Sequence, residues 1–182
     1  MAKILYHITM SLDGFVAGPA DDMSWLRGLP TGPNPVVERV MGEIGAVLMG
    51  HRTYAPATTA EGKVYGGRVR VPIFVVTRDD PASAEPGFTF EADLLKAVAA
   101  ASAAAGDGCV AVLGPATARR CLEAGVLDEV LVHVAPVLLG DGVRLFDHPG
   151  GTRVRLEPVE LSTAGGLGNF RYRVQSPVDS RA

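Results

Sequence analysis

Apolar residues recur along this chain in short runs separated by glycine-rich or charged stretches. Residues 3–10 (KILYHITM), 45–49 (GAVLM), 72–77 (PIFVVT), 109–113 (CVAVL) and 129–136 (EVLVHVAP) are short, and several are apolar on both alternating faces. That texture predicts strands covered on both sides. Between them the period lengthens. Residues 35–44 place Val36, Val37, Val40, Met41 and Ile44 on one face, with Asn34 as N-cap, Pro35 at the first helical position and Gly45 as the stop. Residues 92–105 form an alanine-rich helical stretch ending at Gly106, and residues 115–124 open with proline and close at Gly125. Strand and helix alternate, which predicts an α/β fold: a mostly parallel sheet flanked by helices on both faces.

The end of the chain follows a different rule. Residues 153–162 and 169–175 alternate with period two around TAGGLG and predict an antiparallel hairpin added to the sheet. Residues 17–34 and 55–71 are rich in glycine, proline and small residues and read as long loops of the kind that often carry function. With no internal repeat and no linker, residues 1–182 form one expected domain.

Composition narrows the partners. The chain has 17 Lys and Arg against 20 Asp and Glu, a net charge of -3, so no overall field favours nucleic acid or anionic lipid, and any anion site must be local. Cys109 and Cys121 have neither zinc-site spacing nor disulfide density, which suits buried thiols in a reducing cytoplasm. The first residues do not read as a signal peptide, and no apolar run approaches the roughly 20 residues of a membrane span. No metal-ligand motif, nucleophile elbow or P-loop is present, and His7, His133 and His148 read as structural.

In open α/β sheets ligands collect where parallel strands end. Three predicted strand ends carry matching residues: GHRT (50–53), TRDD (77–80) and GPAT (114–117). Arginine forks and turn amides supply the directed donors that a dinucleotide phosphate needs. Taken singly, Arg52 or Arg78 is more often a solvated surface group, and His51 a surface or hydrogen-bonded histidine than a catalyst.

The ordered set SLDGFVAG (11–18), VLMGHRTY (47–54), VPIFVVTRD (71–79), VLGPAT (112–117) and AGVLDEVLVHVAPVLLGDGVRLF (124–146) resembles the dihydrofolate-reductase-like superfamily, and within it the riboflavin-biosynthesis reductase branch. The resemblance implies a single dihydrofolate-reductase-like domain that uses NADPH to transfer a hydride to a small-molecule substrate. By motif, Gly50, His51, Arg52 and Thr53 would hold the cofactor diphosphate and 2′-phosphate side, and Thr77 and Arg78 would flank the adenosine. Gly114, Pro115, Ala116 and Thr117 would lie beneath the diphosphate and nicotinamide. Asp13 becomes the candidate catalytic group; its alternative is an Asx-turn residue shaping the bend at Gly14. Trp25 would help form a lid, or else belong to the core. Val137, Leu138 and Gly140 would underlie the nicotinamide, with Phe146 lining the cavity and Arg144 available for a substrate phosphate.

Two departures from the family pattern carry expectations. Gly114-Pro115 stands where the family has two glycines joined by a cis peptide in dihydrofolate reductases. Since cis costs only about 0.5–1 kcal/mol before proline, a cis bond is expected here; the alternative is a trans Pro115 in the first helical turn. Asn34 stands near the position of the pterin-binding carboxylate, with Glu38 one turn on, which disfavours folate. The substrate expected is a small heterocycle or ribosylaminopyrimidine; a dihydrofolate reductase or a non-catalytic nucleotide- or flavin-binding module is the alternative. The apolar run 130–139 leaves room for a homodimer.

Overall fold

The computed structural model describes residues 1–30, 32–57, 64–79, 86–147, 149–151 and 153–175; His148 and Asp80 lie outside them. The chain runs β1 (Lys3–Ser11), β2 (Phe15–Ala17), α1 (Pro35–Glu43), β3 (Ile44–Gly50), α2 (His51–Ala57), β4 (Ile73–Val76), β5 (Phe88–Glu91), α3 (Leu94–Ala105) and β6 (Cys109–Leu113). It continues through α4 (Pro115–Glu123), β7 (Glu129–Ala135), β8 (Val143–Arg144), β9 (Leu156–Ala164) and β10 (Leu167–Val174).

Eight strands form one sheet in the order β5-β4-β3-β6-β1-β7-β10-β9, and β2 pairs with β8 in a separate antiparallel ribbon. The first six strands are mutually parallel, and the final hairpin joins β7 antiparallel. Parallel strands need cover on both faces. One face of the central strands packs with α3 and α4 around Tyr6, Leu48, Val110 and Val112; the other buries Leu5, Val47, Met49 and Leu131 with Val36 and Val40 of α1.

Local chemistry sets the helix starts. Asn34 Oδ1 accepts from the amides of Val36 (3.2 Å) and Val37 (3.4 Å), with Pro35 leading α1, as expected. Asp93 caps α3 through Lys96 N–H at 3.0 Å. The hairpin turns at Gly165 and Gly166. Both cysteines are buried free thiols pushed up to about 11, chiefly by burial, so at neutral pH they stay protonated.

Several expectations change. The stretch after Gly50 is a helix, and Phe88–Glu91 is a further parallel strand beyond β4. Gly45 lies inside β3 and does not end α1. No cis peptide occurs among the described residues, so the Gly114-Pro115 expectation is corrected. Gly114 turns the chain with φ +89°, and a trans Pro115 takes the first position of α4, where its fixed φ suits a helix and its missing N–H costs no intrahelical bond.

Candidate active site

Three turns meet at the carboxyl edge of the parallel strands. Val76 of β4 pairs with Gly50 of β3, and Met49 of β3 with Leu113 of β6. Thr77, His51 and Gly114 are therefore the next residues out of three adjacent strands. The two glycine turns interlock: a Cβ on Gly50 would stand 2.9 Å from Thr117 Oγ1, and one on Gly114 would stand 2.5 Å from Thr53 Oγ1. Each threonine fills space left by the other turn's glycine. Tyr54 anchors α2 by edge-on contact with Phe88 (5.1 Å) and Phe90 (5.2 Å) of β5.

This edge suits an anion. Gly114 offers no side-chain cap to α4, leaving the amides of Ala116 and Thr117 at the helix start without one, while Ala118 N–H bonds Gly114 O at 3.1 Å. His51 and Arg52 are exposed, as is Arg78. Arg52 is engaged across the edge: its Nη2 donates to both carboxylate oxygens of Asp21 at 2.6 Å. Asp21 and its neighbour Ala20 hold left-handed backbone (φ +62° and +56°). A phosphate at Arg52 must compete with that carboxylate.

Asp13, in the turn after β1, acts as a pin. Its Oδ1 accepts from Ser11 Oγ (2.6 Å) and Leu139 N–H (3.1 Å), and its Oδ2 from Gly140 N–H (2.7 Å). These bonds, Ser11's the largest, lower its pKa to about 2. Gly14 N–H closes the same turn onto Ser11 O at 3.0 Å. Asp13 therefore stands as an ionised acceptor, and at neutral pH it has no proton to donate.

The remaining residues divide. Leu138 is exposed and Val137 half-buried, with Val137 O accepting from Leu12 N–H at 2.8 Å. Phe146 packs edge-on against Tyr6 at 5.6 Å and joins the core on the α3 and α4 face. Arg144 lies over the Phe15 ring at 4.8 Å. Trp25 is half-buried in a 3-10 turn (Ser24–Leu26), its Nε1 buried with no hydrogen-bond partner among the described residues. A depression of about 490 Å³ at the opposite edge, between Lys3, Ser102, Asp107 and Gly108, gathers no reactive set.

A buried polar chain on the α1 face has no local signature in the sequence. His7 Nε2 meets His133 Nε2 at 2.8 Å, His7 Nδ1 meets Tyr65 Oη at 2.9 Å, and His133 Nδ1 meets Asn169 Oδ1 at 2.7 Å. Asn34 Nδ2 donates to the same Asn169 oxygen at 2.9 Å. His7 and His133 lie on neighbouring strands, where Thr9 pairs with His133, and only that register brings them together. Burial first, then His133 and Arg171, lower the His7 pKa to about 3; burial also lowers that of His133.

Fold and edge together define an α/β domain with an anion-ready strand edge. The chain belongs to the RibD C-terminal domain family, whose model matches residues 2–166, and that membership points to a reductase. A protein of Shewanella sp. PV-4, provisionally described as a riboflavin biosynthesis protein, shares the fold with TM-score 0.78 and 22% identity over 97% of this chain and 100% of its own. A pyrimidine reductase-like protein of Corynebacterium diphtheriae has TM-score 0.62 and 16% identity over 96% of this chain and 92% of its own. The Thermotoga maritima diaminohydroxyphosphoribosylaminopyrimidine deaminase/5-amino-6-(5-phosphoribosylamino)uracil reductase has TM-score 0.64 and 15% identity; the match covers 96% of this chain but 57% of that one. No curated protein matches the sequence. The fold is dihydrofolate-reductase-like, with the mixed, mostly parallel sheet expected. Among the described residues no helix is long and apolar enough to cross a membrane.

Proposed function

We propose that this protein is an NADPH-dependent reductase that delivers a hydride to a small heterocyclic or ribosylaminopyrimidine-type substrate. The observation that carries the reading is the convergence of residues 50–53, 77–78 and 114–117 on one strand edge, with glycines and threonines interlocked. Backbone amides at 116–117 and the guanidinium groups of Arg52 and Arg78 fit a dinucleotide's phosphates in kind. Bound NADPH would supply the reducing equivalent. The chain's own part is to bind, orient and exclude water. Asp13 positions the backbone of Leu139 and Gly140 beside that edge, a role that needs its charge and not a proton.

Against folate reduction stands the engagement of Asn34 as a helix cap, together with the exposed pairing of Glu38 with Arg68 at 2.7 Å. Neither side chain offers a free carboxylate to a protonated pterin. The Corynebacterium and Thermotoga relatives are named as a pyrimidine reductase-like protein and a phosphoribosylaminouracil reductase, which favours the pyrimidine class. The reading extends to a homodimer.

NADPH oxidation followed at 340 nm tests it. The expected result is turnover with a ribosylaminopyrimidine and none with dihydrofolate; absence of turnover across aminopyrimidines, pterins and simple carbonyls would leave only a nucleotide-binding module.

A further inference from the structure

The polar chain beneath Tyr65 has a direction fixed from one end. Asn34 Oδ1 is occupied by the amides of α1, so its Nδ2 points away from that helix and donates to the buried Asn169 Oδ1. An amide oxygen only accepts, so His133 Nδ1 carries the proton in its bond to Asn169. With both imidazoles neutral, His133 Nε2 must accept, and His7 Nε2–H donates to it. His7 Nδ1 is left as an acceptor, and Tyr65 Oη–H donates into it. A helix cap thus sets the tautomers of two histidines and presents one bare ring nitrogen at the end of the chain.

That nitrogen lies level with the candidate cofactor edge. Tyr6 of β1 pairs with Val112 of β6, which puts His7 beside Leu113, one residue below Gly114. β1 then rises past the end of β6 to Ser11, with the side chains of Thr9 and Ser11 on the His7 face. Tyr65 stacks over His7 with centroids 5.4 Å apart and planes at 20°. It does so from a 3-10 turn (Val64–Gly67) in which Tyr65 itself has φ +53°, left-handed backbone that a tyrosine rarely adopts. The tyrosine is a planar ring with one donor, held by a strained turn against a preset acceptor.

We propose that Tyr65 is the resident occupant of the substrate slot, and that a planar heterocycle bearing a ring N–H displaces it and donates to His7 Nδ1. This deepens the reductase reading and rests on it for the identity of the ligand. Displacement relaxes the turn, and the exchange of one donor for another keeps His7 satisfied. His7 becomes the specificity residue: with Nδ1 an obligate acceptor, the slot favours a ring edge with a donor and rejects one that can only accept.

Titration of the full-length protein, labelled with 15N at histidine, tests this with uracil and 1,3-dimethyluracil as probes. In the free protein His7 should show a bare Nδ1 and a protonated Nε2, and His133 the reverse. Uracil should shift the His7 Nδ1 signal, and Tyr65→Ala should bind uracil at least tenfold more tightly than the wild type. Addition of His7→Leu should abolish that gain, and 1,3-dimethyluracil should show none of it. If the alanine variant does not fold, Tyr65→Phe keeps the ring without its donor and should show a smaller gain of the same sign. Equal uracil affinity in wild type and Tyr65 variants, or opposite tautomers, would overturn the proposal. A parallel NADPH titration separates the two ideas: NADPH binding with an unresponsive His7 removes the slot alone, whereas uracil-dependent shifts without NADPH binding remove the reductase reading alone.

Discussion

His7 is held neutral mainly by burial, with His133 and Arg171 adding to the effect, and its pKa falls to about 3. An unfolded histidine titrates near 6.5, so between these values the unfolded chain binds a proton that the native chain refuses. The stability this group contributes is therefore complete above about pH 6.5 and is lost as pH falls toward 3. Between pH 7 and pH 5 the loss should be about 2 kcal/mol, and His133, also lowered, adds in the same direction. Carboxylates with lowered pKa, such as Asp13, act below this window. Urea unfolding at the two pH values measures it, and a midpoint unchanged between them would contradict the neutral pair. Asn34 was legible from the sequence because N-capping is local chemistry, read from Asn-Pro before an apolar run. The histidine pair was not, since no local pattern reports which residues of β1 and β7 face each other.

At the scale of elements, the strands and helices with strong periodicity stand where the sequence puts them, while the short ones do not. α2 escaped because Pro56 and a glycine-rich sequel give its residues a loop's composition; Tyr54 ties it by packing against β5, itself only four residues long. Gly45 has a tertiary reason that no local pattern carries. A Cβ there would stand 2.2 Å from Ala105 O at the end of α3, so the glycine permits close approach of helix to strand. The last strands raise a different matter. Ile8, Val132, Phe170 and Leu161 form a row across β1, β7, β10 and β9 on the face that α3 and α4 cover over β3 and β6. Leu161 is 55% exposed at its end, and Val159 is 44% exposed nearby. The proposed homodimer would set this row against its copy in a second chain. Sedimentation at micromolar concentration should give a dimer that Leu161→Glu converts to monomer; a monomeric wild type would remove this interface.

For the molecule as a whole, strand order brings three separate sequence motifs to one strand edge. GHRT, TRDD and GPAT lie up to 67 residues apart in the chain, from residue 50 to residue 117, yet leave adjacent strands. The motifs could be read beforehand because each is local; the Asp21 carboxylate on Arg52 could not, because it comes from a loop without periodicity. That pairing tempers the expected affinity, since phosphate must replace a carboxylate already in place. This edge is proposed to grip a pyridine dinucleotide and to read its 2′-phosphate. Calorimetric titration of NADPH and NADH into the wild type and an Arg52→Ala, Arg78→Ala double variant tests it most directly. The wild type should prefer NADPH, and the variant should bind NADPH at least tenfold more weakly (about 1.4 kcal/mol) with NADH nearly unchanged; equal NADPH affinity in the two proteins would remove the phosphate clamps.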